Sequence, residues 1–188
     1  MKRAAWQQMI RQYAAADLVF VDETGATVNM TRRYARAPRQ QRAIGRVPRN
    51  HGPRTTLVAA LSVAGLSAPQ TRRGAMNTAA FVAYVREILC PTLRPGQVVV
   101  VDNLSAHKAA AVRPLIEARQ CILLFLPPYS PDFTPIELAF SKIKEALRAA
   151  GARLQTTLDD AIGTAIAQVT PTDAKGWFHH CGYSLAQS

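Results

Sequence analysis

Hydrophobic positions along the chain recur with two different periods. Between residues 4 and 16, Trp6, Met9, Ile10 and Tyr13 repeat at helical spacing and predict a short helix. DLVFVDETG (Asp17 to Gly25) is mostly apolar and closes on a turn, which predicts a buried strand. TVNMTRRYAR (Thr27 to Arg36), rich in β-branched and aromatic residues, predicts the returning strand of a hairpin. TTLVAALSVAGL (Thr55 to Leu66) predicts a third strand. Asn77 is an N-cap for a helix through TAAFVAYVREIL. QVVVVD (Gln97 to Asp102) is a continuous apolar run, as expected of a central strand covered on both faces. AHKAAAVRPLIEAR predicts a helix kinked or delayed by Pro114, and CILLFLP the next strand. TPIELAFSKIKEALR predicts a helix with Thr134 at the N-cap, Pro135 at N1 and Glu137 at N3. A helix over Leu158 to Val169 follows, and Thr172 is a candidate cap for a further one, with aromatics in the tail for docking. The order β-β-β-α-β-α-β-α-α predicts an α/β fold: one mixed sheet with helices on its faces.

At 188 residues the chain is long enough to bury a core without covalent staples. The three cysteines, Cys90, Cys121 and Cys181, are too scattered for a disulfide framework or a CxxC-type zinc site. They fit the reduced state of a cytosolic protein. The polar N-terminus does not read as a signal peptide, and no run reaches the roughly 20 apolar residues of a membrane span.

Charge changes the picture. Lys and Arg number 23 against 12 Asp and Glu, a formal net charge of +11 and a pI of about 10.3. That excess favours a polyanionic partner, nucleic acid before membrane. It is concentrated: Arg32, Arg33, Arg36, Arg39, Arg42, Arg46, Arg49 and Arg54 fall in one stretch without an acid, broken by Pro38, Gly45, Pro48, Gly52 and Pro53. Such a stretch suits phosphate contacts, whose affinity falls with salt. The alternative is a charged surface hairpin without a partner.

Three carboxylates stand where apolar patterning ends. Asp22 follows LVFV, Asp102 follows VVVV, and Glu137 opens the helix after the last strand. A carboxylate ending an apolar strand costs desolvation energy unless something compensates. Each has a bland explanation: Asp22 as a turn residue in DETG, Asp102 capping a turn through DN, Glu137 in a capping box with Thr134. A shared pair of divalent cations explains all three at once, with the ions clamping a phosphodiester. Four prolines (Pro127, Pro128, Pro131 and Pro135) stiffen the crossing that leads to Glu137.

The blocks VFVDETG, VVVVDNLSAHK and LPPYSPDFTPIELAFSKIK resemble the signature blocks of mariner-like bacterial insertion-sequence transposases, members of the DDE superfamily. The 34 residues 103–136 between Asp102 and Glu137 match that branch, and KGWFHHCGY is similar to the family's C-terminal block. Phe133 and Thr134 stand where the family more often has Leu and Asn. The resemblance implies an RNase H-like fold with a mixed five-stranded sheet flanked by helices. It implies an N-terminal helical extension at 1–16, a catalytic domain at 17–170 and a tail at 171–188.

It further implies Asp22, Asp102 and Glu137 as catalytic metal ligands for Mg²⁺, replaceable by Mn²⁺. The implied chemistry is metal-dependent DNA strand cleavage and strand transfer, at a TA target. Implied partners are transposon-end and target DNA, with a homodimer on paired ends, in the bacterial cytoplasm at the nucleoid. Around these acids, Glu23 points to the opposite strand face and is expected beside the site rather than on the metal. Asn103 and His107 could touch phosphate or order the metal site, and His107 could equally cap its helix. The eight arginines from Arg32 to Arg54, with Lys108 and Lys144, are the candidate DNA contacts, a solvated helix face being the bland alternative for Lys144. Family members carry N-terminal helix-turn-helix domains, for which only about sixteen residues leave no room here. A catalytic fragment, a second reading frame joined to an upstream-frame DNA-binding region, or a truncated gene would explain that. Two rival functions stay open: a catalytically silent DNA-binding remnant, and another RNase H-like nuclease such as a junction resolvase.

Overall fold

The structure, a computed structural model, describes residues 3–184. Its centre is one five-stranded sheet of β1 (Leu18–Ala26), β2 (Thr55–Ser62), β3 (Gly65–Arg73), β4 (Val98–Val101) and β5 (Ile122–Phe125), in the order β3-β2-β1-β4-β5. β1 pairs antiparallel with β2 and parallel with β4; β4 pairs parallel with β5. The helices are α1 (Arg3–Ile10), α2 (Thr78–Tyr84), α3 (Val112–Glu117), α4 (Pro135–Ala150), α5 (Gln155–Ala167) and α6 (Pro171–His180).

The sheet is buried on both faces, and strand parity sorts its side chains. Leu18, Phe20, Val98 and Val100 join Trp6 of α1, Ile136, Phe140 and Ile143 of α4, Leu158 and Ile162 of α5, and Phe178 of α6. Val19, Val21, Val99 and Val101 face the other way, against Phe81 and Tyr84 of α2 and Val112 and Ile116 of α3. The stretches expected as extension and tail thus supply Trp6, Phe178 and Tyr183 to the same core as β1. Residues 1–2 and 185–188 of those stretches lie outside the described residues.

Several expected boundaries shift. Thr27 to Arg36 is not a strand: residues 27–54 contain no helix or strand. Its β-branched residues had no partner to pair with, because β2 already occupies the edge of β1 through Asp22↔Ala59 and its neighbours. The expected third strand is two strands. A turn at Val63 and Ala64 splits it, with Gly65 at φ +113°, and GLSAPQTRR forms the edge strand β3. Pro69 is tolerated there because β3 lies at the sheet edge and its register shifts beside it, opposite Val58 to Ala60. The helix expected from Ala106 starts only at Val112, which leaves Pro114 in the first turn, where its missing N–H costs nothing.

Asn77 caps α2 as expected, accepting from the Ala80 N–H at 2.9 Å. Thr134 holds the N-cap position of α4, but its side chain makes no capping bond, so the capping box expected with Glu137 does not form. A capping box does form at α6, from Thr170 and Asp173 rather than from Thr172. All three cysteines are free thiols.

Candidate active site

Parallel pairing of β1 with β4 aligns Leu18 with Val98 and Phe20 with Val100. Asp22, within β1, and Asp102, the residue directly after β4, each stand two residues further on, at the same end of two paired strands. Neighbouring strands run about 4.8 Å apart. Glu137, in the first turn of α4, faces the same opening. Asp22, Asp102 and Glu137 together line one cleft of about 500 Å³. Its opposite wall is the proline-rich crossing from Pro127 to Pro131.

The three acids differ electrostatically. Burial pushes the Asp22 carboxyl up to about 7, only partly offset by the Glu23 backbone N–H, which donates to its Oδ1 at 2.8 Å; the charges of Glu23 and Asp102 push it further. Among the described residues no basic side chain bonds to Asp22. Asp102 is also partly desolvated, but bonds from His107 and from the Leu104 N–H hold it below the usual carboxylate range. Glu137 is exposed at the rim.

His107 is the buried polar hub. Its ring is fully buried and stacks at 4.1 Å from Phe81. Nδ1 donates to Asp102 Oδ1 at 2.5 Å and Nε2 donates to Glu23 Oε2 at 3.0 Å. Burial alone would lower the imidazole pKa; the two carboxylates reverse that and raise it to about 9. His107 is therefore a cation joining β1 to the end of β4, not a helix cap. Glu23 lies on the opposite strand face from Asp22, as expected, and ends on this ring. Asn103 Nδ2 donates to the Leu126 carbonyl, fastening the end of β4 to the start of the proline-rich crossing.

A second cleft of about 440 Å³ shares Asp22 and Glu137 and is bordered by Arg33, Lys144 and Arg148. Lys144 is thus on the acid side of α4. Lys142 is not: its Nζ binds Asp173 of α6 at 2.6 Å. Lys108 lies behind Asp102, lining a separate small cleft with Arg113. Arg32 and Arg33 border a neighbouring cleft with Tyr34 and Arg148. Arg36, Arg39, Arg42, Arg46 and Arg49 are exposed, and Arg54 lies over Gly25. Among the described residues none of these eight arginines is in an ion pair. Sequence reasoning missed Arg148, which its i, i+4 helical spacing from Lys144 could have found. It also missed the partner of Asp132: Arg3 of α1, with N–O distances of 2.9 and 2.5 Å.

Among the described residues no group of three or more His, Cys, Asp or Glu side chains is placed to hold a metal ion. The donor set still fits a hard divalent cation. It is all oxygen, and the half-buried Asp22 carboxylate is only weakly offset by the charge of His107, so a divalent ion would supply further positive charge.

A five-stranded mixed sheet in this order, with one carboxylate within its middle strand β1, one directly after β4 and one in the first turn of α4, defines the RNase H-like class. Residues 17–159 match the family model described as DDE superfamily endonuclease. The chain belongs to that family. Its fold matches the Mos1 transposase paired-end complex with left transposon end (TM-score 0.73, 18% identity) over 95% of this chain and 56% of that one. It also matches the Mos1 strand transfer complex (0.73, 20%), over 95% of this chain and 55% of that one. A third match is the catalytic domain of Mos1 mariner transposase (0.66, 17%), over 95% of this chain and 83% of that one. The chain thus spans little more than half the length of the transposase chains seen in those complexes. No curated protein sequence matches it significantly. Among the described residues no helix is long and apolar enough to cross a membrane.

Proposed function

We propose that the chain is the catalytic domain of a mariner-like transposase, cleaving DNA at the ends of an element and joining the freed 3′-hydroxyl to a target. The observation that carries this reading is the cleft shared by Asp22, Asp102 and Glu137 in a chain of net charge +11. Asp22, Asp102 and Glu137 would hold Mg²⁺ or Mn²⁺; related folds are described as complexes with Mg and with Mn. When bound, such ions activate the attacking oxygen and neutralise charge on the leaving one.

The protein's own contribution is position. Asp22 of β1 and Asp102 directly after β4 line the same cleft, and Pro135 fixes the first turn that presents Glu137. His107 holds the Asp102 carboxylate in one orientation, and Glu23 holds His107. Asn103 ties the crossing to β4. Arg33, Lys144 and Arg148 border the acids and are the candidate contacts to the DNA backbone, with Arg32, Arg36, Arg39, Arg42, Arg46, Arg49 and Arg54 extending that basic surface. Lys108 is set behind the acids and would reach only DNA passing that side. The related Mos1 structures are paired-end complexes, one with the left transposon end, which supports transposon-end DNA and pairing of two copies as the working assembly.

The test is product analysis. Purified chain should nick plasmid DNA and join a 3′-hydroxyl oligonucleotide to it in Mg²⁺ or Mn²⁺, and Glu137→Ala should abolish both. Nicking without joining would favour a nuclease, and DNA binding without either would favour a silent remnant.

A further inference from the structure

Tyr129 stands out in the wall opposite the acids. Its side chain is 98% exposed, although it lines the acid cleft. Its backbone is left-handed, at φ +54°, a region that residues with a Cβ seldom occupy. Neither burial nor backbone preference accounts for an aromatic ring placed there, and such departures gather at functional sites. The backbone around it is braced on both sides. Asn103 holds the Leu126 carbonyl, Arg3 Nη1 donates to the Tyr129 carbonyl at 3.4 Å and to Ser130 Oγ at 3.0 Å, and Tyr183 Oη donates to the Phe133 carbonyl at 2.5 Å. A rigid loop therefore presents one ring to solvent at the rim of the cleft. Around it the wall is apolar: Leu104, 47% exposed, with Leu126, Pro127 and Pro128.

We propose that Tyr129 and this apolar wall form a stacking platform for an unpaired nucleobase beside the phosphodiester held at the acids. The proposal rests on the DNA-cleaving reading and names a feature of its substrate. Base stacking on an aromatic ring needs a free π-face and tolerates any base. A base inside a duplex is stacked on both sides and offers none, so the strand at the cleft is single or locally opened. The two flanks of the acids then divide the work. The Arg33, Lys144 and Arg148 side meets backbone phosphate, and the Tyr129 side meets a base. A protein segment as occupant would leave the adjacency to the acid cleft and the basic flank unexplained.

The experiment uses a short single-stranded oligonucleotide carrying iodouracil, irradiated with the protein in EDTA, with adducts mapped by mass spectrometry. Affinities of wild type, Tyr129→Phe and Tyr129→Ala for the same strand are measured by fluorescence anisotropy. An adduct on Tyr129 is expected. Alanine should weaken binding by roughly 5- to 100-fold and phenylalanine by no more than about twofold. Adducts confined to other rings, such as the exposed Tyr34, or wild-type affinity in Tyr129→Ala, would overturn the proposal. Because metal is absent, these outcomes are independent of whether the wild-type chain nicks plasmid in Mg²⁺, which tests the cleavage reading alone.

Discussion

His107 Nδ1 lies 2.5 Å from Asp102 Oδ1, and the other nitrogen of the same buried ring lies 3.0 Å from Glu23 on the neighbouring strand. One imidazolium therefore fixes the acid that ends β4 to the strand bearing Asp22. His107→Ala should lower DNA cleavage by about 10- to 100-fold, the usual cost of removing a group that orients a metal ligand. It should also lower the melting temperature, because two carboxylates lose their shared partner, at about 1–3 kcal/mol or roughly 2–10 °C. Parallel melting and nicking assays check both. An unchanged rate would remove His107 from the site.

Arg3 grips Asp132, and its guanidinium lies 4.4 Å above the Phe133 ring, so α1 braces the crossing that delivers Glu137. The pair is exposed, and water screens exposed pairs so that they add little to stability. Arg3→Asp should thus barely move the melting temperature while slowing cleavage, since a misplacement of about 1 Å can cost a hundredfold. The double variant Arg3→Asp, Asp132→Arg should recover much of the rate. Comparing turnover in the single and double variants is the check.

The prolines of the crossing should matter for rate more than for folding. Each exchange for alanine frees the unfolded chain, at about 0.4–1 kcal/mol. Replacing Pro128, Pro131 and Pro135 together should give a folded protein by circular dichroism, melting several degrees lower, with cleavage reduced by more than that loss explains. Unchanged strand transfer would show that Glu137 needs no stiff approach.

Asp173 supplies a pH dependence. The Lys142 ammonium, with the Thr170 N–H and hydroxyl, holds its pKa down at about 2. The ordinary value is about 4, so its stabilisation is complete above that pH and disappears as pH falls through 2. Asp173→Asn should melt below wild type at neutral pH, and the two melting curves should converge in strong acid. A gap that persists to pH 2 would show that the carboxylate charge is not the cause.

The sequence made the central strands and the three acids legible because both depend on local pattern. LVFV and VVVV are unbroken apolar runs, and a carboxylate closing each is visible without a structure. What was hidden depends on contacts distant along the chain. The Thr27 to Arg36 stretch has strand composition, but pairing is decided by which segment reaches the edge of β1, and that is Thr55 to Ser62. β3 was masked by its polar alternation and Pro69, both consequences of its edge position. His107 could be singled out from its place in DNLSAHK. Its two carboxylate partners could not, because Glu23 lies 84 residues away. The Arg3 to Asp132 contact spans 129 residues and leaves no local trace.

The central claim is that Asp102 acts by holding a divalent ion with Asp22 and Glu137. The most direct measurement is the rate of plasmid nicking against Mn²⁺ concentration for wild type and Asp102→Asn, an exchange that keeps shape and removes charge. The account predicts a saturable dependence on Mn²⁺ in wild type, no nicking in EDTA, and a maximal rate at least about a hundredfold lower in the variant at an unchanged fold. Wild-type nicking in EDTA, or a variant that reaches the wild-type rate, would contradict it.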